Sequence, residues 1–97
     1  MAQVAQDLEL RQRIEHSLAY LLREWAGLPD LAAEWDEWDE DSKLDFVIDW
    51  GVPADRLHQL RQWAEQDLLT LEQWAQYDQL MALVAKHQPI LDELLKD

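Results

Sequence analysis

The sequence predicts an all-α protein, a compact bundle of about five amphipathic helices in one domain covering residues 1–97. The chain has only two glycines and three prolines, so it encodes few turns, whereas a sheet protein needs many. Hydrophobic residues make up 48% of the chain and include six tryptophans, enough for one modest core. These residues recur at steps of three and four, which is the period of an α-helix.

The first helix is predicted from about Gln3 to Trp25 or Ala26. Its apolar residues follow the helical period almost throughout, namely Val4, Leu8, Ile14, Leu18, Leu21 and Trp25. Gly27 comes directly after them and Pro29 follows, a combination that is typical of a helix end.

A second helix is predicted to begin near Asp30, with Leu31, Trp35 and Trp38 on one face. The polar residues from Asp39 to Ser42 leave two interpretations open. One is a break, after which a third helix covers Lys43–Trp50 and ends at Gly51. In that case Ser42 and Asp45 resemble a capping box. The other is one continuous helix over Asp30–Trp50.

Val52 and Pro53 are predicted to restart the chain, with Pro53 in the first turn of a fourth helix, where proline is well tolerated. Its buried face consists of apolar residues at helical spacing, namely Leu57, Leu60, Trp63, Ala64 and Leu68. Thr70 and Gln73 then have the spacing of a capping box, which predicts a fifth helix from Leu71 to about Lys86. Pro89 either disrupts this helix or starts a short last one with Ile90, Leu91, Leu94 and Leu95 on its apolar face.

Acidic residues are concentrated in one part of the chain. The net charge is −13, and Asp30–Trp50 holds nine acidic residues and one basic residue, a net charge of −8. The densest part is the acidic segment, Glu34–Asp41, in which six of eight residues are carboxylates. A field this negative attracts a basic partner and repels nucleic acid and anionic membranes.

We therefore expect a non-enzymatic interaction protein that binds a basic surface of a macromolecular partner, as an inhibitor, neutraliser or assembly factor does. The predicted partner-binding residues are Glu34, Asp36, Glu37, Trp38, Asp39, Glu40 and Asp41. Trp38 is the tryptophan for which we predict exposure, because an aromatic ring among carboxylates suits a partner rich in Arg or Lys.

Catalytic and metal-binding patterns are sparse. The chain has no cysteine, which excludes disulfides, thiolate zinc sites and cysteine nucleophiles. Asp55 and His58 have the spacing of a helical metal motif, but a di-iron bundle needs two such motifs. His58 and His87 are expected at the surface or at helix ends. We predict no catalytic residue, no metal and no cofactor.

Three other functions remain open. The protein could self-associate as a structural helical module, with its acidity serving solubility; it could mimic DNA, with carboxylates in place of phosphates; or it could be a small metal-dependent helical enzyme. We expect no direct binding of nucleic acid and no membrane insertion, since basic residues are few and apolar runs are short. Without a signal peptide pattern, the expected location is the cytoplasm.

Overall fold

The computed structural model describes the backbone of residues 2–96 and the side chains of residues 8–96, so Val4 of the predicted first stripe lies outside the described side chains. The all-α prediction is confirmed, since these residues form helices and no strand. The helices are α1 (Ala2–Ala26), α2 (Leu28–Glu34), α3 (Glu40–Asp49), α4 (Gly51–Glu65) and α5 (Leu71–Leu95), with a 3₁₀ turn (Trp35–Glu37) between α2 and α3.

The two longest helices, α1 and α5, run parallel. Gln73 Nε2 donates a hydrogen bond to the carbonyl oxygen of Arg11 at 3.0 Å, and His87 Nδ1 lies 2.8 Å from that of Trp25. Since a carbonyl only accepts, the Nδ1 of His87 must carry the proton. Both pairs are 62 residues apart in the chain. The two contacts are therefore about four helical turns apart on each helix, and they fix the register of α5 against α1.

α4 packs against α1 in the opposite direction. The Trp50 ring just before α4 meets the ring of Trp25 near the end of α1, with centroids 5.5 Å apart. Further along α4, Arg56 lies 5.7 Å from the ring centroid of Tyr20, which is earlier in α1. The molecule measures 53 × 23 × 18 Å, since its long axis follows α1 and α5. The buried apolar core is formed mainly by α1, α4 and α5 and includes Ile14, Leu18, Leu21, Trp25, Leu57, Leu60, Leu80, Val84, Leu91 and Leu94.

The chain is broken between α2 and α3, so the continuous helix over Asp30–Trp50 is wrong. Trp38 and Asp39 have extended backbones, and Asp39 Oδ1 accepts a hydrogen bond from the Ser42 amide at 2.7 Å. Asp39 is thus the N-cap of α3, so the helix begins three residues before the predicted start at Lys43 and the predicted capping box of Ser42 and Asp45 is wrong. The predicted capping box of Thr70 and Gln73 is present at the start of α5.

Helix α5 continues through Pro89, so both predicted outcomes for this residue are wrong. Proline removes one backbone hydrogen bond, here the bond to the carbonyl of Ala85. Ala85 and Pro89 are both exposed, so water can reach the freed carbonyl. Beyond Pro89, Leu91 and Leu94 are buried in the core. Their packing holds the last two turns in line.

Three other side chains differ from the sequence expectations. Leu8 and Leu68 are exposed, and Leu69 is buried in place of Leu68. The burial of Leu69 in place of Leu68 follows from the way α4 ends. Asp67 has a φ of 59°, and the Leu68 amide donates a hydrogen bond to the carbonyl oxygen of Trp63 at 3.1 Å. His87, which was expected at the surface or at a helix end, lies inside α5 and is buried against α1.

Candidate functional site

The acidic segment lies at the end of the bundle where α5 also ends. It includes the last residue of α2, the 3₁₀ turn and the first residues of α3. A cleft of about 550 Å³ separates it from α5, with Trp35, Glu40 and Lys43 on one side and Glu93 and Leu94 on the other. At the end of α5, Lys96 also lines this cleft, and its Nζ lies 3.9 Å from a carboxylate oxygen of Glu93.

All six carboxylates of the acidic segment are exposed. The closest basic group within the described side chains is Lys43, whose Nζ lies 4.0 Å from an oxygen of Glu40. Lys43 also lies 5.6 Å from the ring centroid of Trp35, so its charge is shared with an aromatic ring. An exposed ion pair at this distance contributes little stabilising energy, and it involves only one of the six carboxylates. Most of the negative charge of the acidic segment is therefore uncompensated.

Part of this acidity has a structural role at the start of α3. The hydrogen bonds from Ser42 lower the pKa of Asp39 below its ordinary value, because they stabilise the charged carboxylate. Glu40 and Asp41 occupy the first turn of α3, where negative charge interacts favourably with the helix dipole. These three residues therefore help α3 to begin at this point, whereas Glu34, Asp36 and Glu37 have no such role.

Trp38 is half-buried, and its ring rests on other aromatic rings. Its centroid is 5.5 Å from that of Trp35 and 6.4 Å from that of Phe46. Phe46 in turn lies 5.6 Å from Trp50, which contacts Trp25 in the core. Among the described side chains, Trp35 and Phe46 pack directly on the core, but Trp38 does not. Trp38 is thus the outermost ring of an aromatic row that joins the acidic segment to the bundle.

The structure adds an apolar stripe that the sequence analysis did not single out. Leu44, Ile48 and Val52 are 57, 66 and 53% exposed. Their spacing of four residues places Leu44 and Ile48 on the outward face of α3, whereas Val52 lies in α4 and borders the groove towards α1. The same spacing relates Asp41 to two further exposed carboxylates, Asp45 and Asp49. This double period of four was visible in the sequence and could have identified the face.

A larger groove lies elsewhere, between α1 and α4, with a volume of about 830 Å³. Arg13, His16 and Arg56 line it, but so do Glu9 and Asp55. Its charges are therefore mixed, and it has no clear preference for either sign of ligand.

The described residues contain neither a cluster of metal-ligating side chains nor a helix that could span a membrane. No group of three or more His, Cys, Asp or Glu side chains in this part of the chain could hold a metal ion. Asp55 and His58 are exposed, and His58 Nε2 lies 3.3 Å from the side-chain amide of Gln62. None of the described helices combines the length and the apolar character needed to cross a membrane.

Comparisons with protein-family models, with curated proteins and with solved structures find no match for this chain. Its function therefore has to be inferred from the residues of the site.

Proposed function

We propose that this protein is a non-enzymatic docking module whose acidic segment binds a basic surface of another protein. The observation that supports the proposal is the gathering of six exposed carboxylates at one end of the bundle, with Lys43 as the one base within 4.0 Å among the described side chains. Carboxylates needed only for solubility would be spread over the surface, whereas these are concentrated and largely unpaired.

Such a segment would act mainly on the rate of association. Opposite charges steer two proteins towards each other and raise on-rates by about 10–10³-fold, an effect that salt weakens. Trp38 would then contact the partner at close range. A partly exposed indole among carboxylates can stack on a guanidinium group while the carboxylates pair with it.

The test uses two variants with the same net charge. In the acidic-segment variant, four carboxylates are replaced by their amides: Asp36→Asn, Glu37→Gln, Glu40→Gln and Asp41→Asn. The matched control variant changes four exposed carboxylates on α1, α4 and α5: Glu15→Gln, Glu65→Gln, Asp78→Asn and Asp92→Asn. Each variant carries a net charge of −9 in place of −13.

Each protein is immobilised and exposed to lysate of the source cells at about 50 mM and about 300 mM salt. We expect a basic protein on the wild type and on the matched control variant at low salt, and loss of this protein at high salt or from the acidic-segment variant. Equal capture by all three proteins, or no basic protein on the wild type, would contradict the proposal.

Trp38→Ala tests whether Trp38 contacts the captured partner protein at close range. Because Trp38 does not pack on the core, we expect little loss of stability, and faster dissociation that corresponds to about 2 kcal/mol. Trp25→Ala is the control for a core tryptophan and should cost about 3–5 kcal/mol of folding free energy. A Trp38→Ala protein that loses as much stability as Trp25→Ala would identify Trp38 as a core residue.

A further inference from the structure

Helix α3 has apolar side chains on two faces. Phe46 and Val47 face the protein and are half-buried, whereas Leu44 and Ile48 face solvent and are more than half exposed. None of the ten residues of α3 is fully buried. A helix with an apolar face that its own domain does not cover normally covers it with another molecule.

The charges beside the stripe indicate what covers it. Asp41, Asp45 and Asp49 follow each other at steps of four and lie next to Leu44 and Ile48 on the helix surface. Among the described side chains, no basic group lies within 4.0 Å of these three carboxylates. An apolar stripe bordered by a row of negative charge is complementary to a helix with an apolar stripe bordered by Lys or Arg.

A second copy of this chain fits the face poorly. If two α3 helices met through Leu44 and Ile48, their rows of aspartates would come close to each other and repel. The net charge of −13 adds a long-range repulsion between copies. Charge complementarity therefore favours a basic partner over self-association.

The shape of the face suits a helix. Leu44 and Ile48 are one helical turn apart, about 6 Å along α3, which is the i, i+4 anchor spacing of an amphipathic helix in a groove. At the end of this face, Leu44 and Leu94 line the 550 Å³ cleft together with charged side chains, among them Glu93 and Lys96.

We propose that α3 binds a basic amphipathic helix of the partner protein. Its apolar side chains contact Leu44 and Ile48, and its Lys or Arg side chains pair with the aspartate row. This inference rests on the proposed function, because it specifies which element of the basic partner docks beside the acidic segment.

The probe is a synthetic peptide of about 18 residues with Leu on one helical face and Lys on the other, compared with a scrambled peptide of the same composition. Binding is measured by fluorescence anisotropy of the labelled peptides. We expect the wild type to bind the amphipathic peptide at least about tenfold more tightly than the scrambled one, since only the first can place its apolar stripe on α3.

Two double variants with matched loss of exposed apolar surface locate the contact. Leu44→Gln with Ile48→Gln should weaken binding of the amphipathic peptide by about tenfold or more. Leu68→Gln with Leu71→Gln, which changes exposed leucines outside α3, should leave it within about twofold. Circular dichroism verifies that both double variants keep their helix content, so that unfolding is not taken for lost binding.

The outcomes separate this inference from the proposed function. If both peptides bind equally and the Leu44 and Ile48 changes have no effect, the helix inference is wrong; the proposed function still stands if the acidic-segment variant loses the basic partner. The opposite result is that binding of the amphipathic peptide requires Leu44 and Ile48, but the wild type and both four-site variants capture the same proteins. The proposed function of the acidic segment is then wrong, whereas the α3 face is still a binding site for an amphipathic helix. A wild-type dimer in light scattering that the Leu44 and Ile48 changes dissociate would assign the face to self-association and overturn the inference.

Discussion

Two buried polar side chains determine how the longest helices align. Gln73 spans from the Thr70 cap to the carbonyl of Arg11, and His87 reaches the carbonyl of Trp25 near the end of α1. Each satisfies a polar group in the interior, where an unpaired one is costly. The Thr70 and Gln73 spacing predicted the cap in the sequence, but nothing local predicted that Gln73 and His87 also bond to α1. Such bonds between residues 62 apart depend on the tertiary packing.

Asp39 makes a pH-dependent contribution to the stability of α3. Its pKa is lowered in the folded protein, so its contribution is complete above the unfolded value, near 3.8, and is lost as the pH falls through the lower folded value. We therefore expect the melting temperature of the wild type to fall relative to that of Asp39→Asn as the pH drops below about 3.8.

The comparison is made by thermal unfolding between about pH 7 and about pH 2, with Asp45→Asn as the control. Asp45 is also an exposed aspartate of α3, but among the described side chains it makes no cap hydrogen bond. A difference between wild type and Asp39→Asn that stays constant with pH would show that the charge of Asp39 does not strengthen the cap.

At the scale of the helices, the sequence predicted the apolar faces better than the ends. The period of three and four correctly placed Leu57, Leu60, Leu80 and Val84 in the core, because the same residues must be buried wherever the helix stops. The ends depend on competing local contacts. The start of α3 moved because Asp39, as well as Ser42, has a side chain that can cap a helix, and Trp38 takes an extended backbone before it.

At Pro89 the helix continues where the sequence predicted an end, because packing of the following residues keeps α5 intact through a residue that normally breaks a helix. Restoring the missing amide by Pro89→Ala should therefore raise the free energy of unfolding by about 2 kcal/mol. A proline inside a helix costs roughly 3 kcal/mol, and its stiffening of the unfolded chain returns about 0.4–1 kcal/mol. Denaturant unfolding measures the change, and hydrogen exchange should detect a protected amide at residue 89.

Lys86→Ala, at an exposed position one turn earlier in α5, is the control and should change stability by less than about 0.5 kcal/mol. If Pro89→Ala were neutral or destabilising, the helix around residue 89 would need the geometry that proline imposes in order to bury Leu91 and Leu94.

Across the whole molecule, apolar burial and charge are separated in space. The core lies along α1, α4 and α5, whereas the acidic segment and α3 contain no fully buried residue. Composition alone predicted the acidity, and the order of the residues predicted its clustering. Sequence analysis did not predict that Trp38 would lie on Trp35 and Phe46, nor that Leu44 and Ile48 would remain uncovered. Both depend on how α3 is oriented against the bundle.

Salt should stabilise this protein mainly through the acidic segment. The six carboxylates lie within eight residues, so their repulsion acts over distances similar to the Debye length of about 10 Å at 0.1 M salt. Added salt relieves this repulsion and also weakens the favourable interaction of Glu40 and Asp41 with the start of α3. Because six close charges outweigh one helix end, we expect the melting temperature of the wild type to rise with salt.

The two four-site variants distinguish local from general repulsion, since both carry a net charge of −9. In differential scanning calorimetry from about 20 mM to about 500 mM salt, the matched control variant should keep a salt dependence close to that of the wild type. The acidic-segment variant should have a clearly smaller one, because the closest like charges have been removed. Equal salt dependence in the two variants would mean that repulsion is spread over the whole surface, as a role in solubility requires.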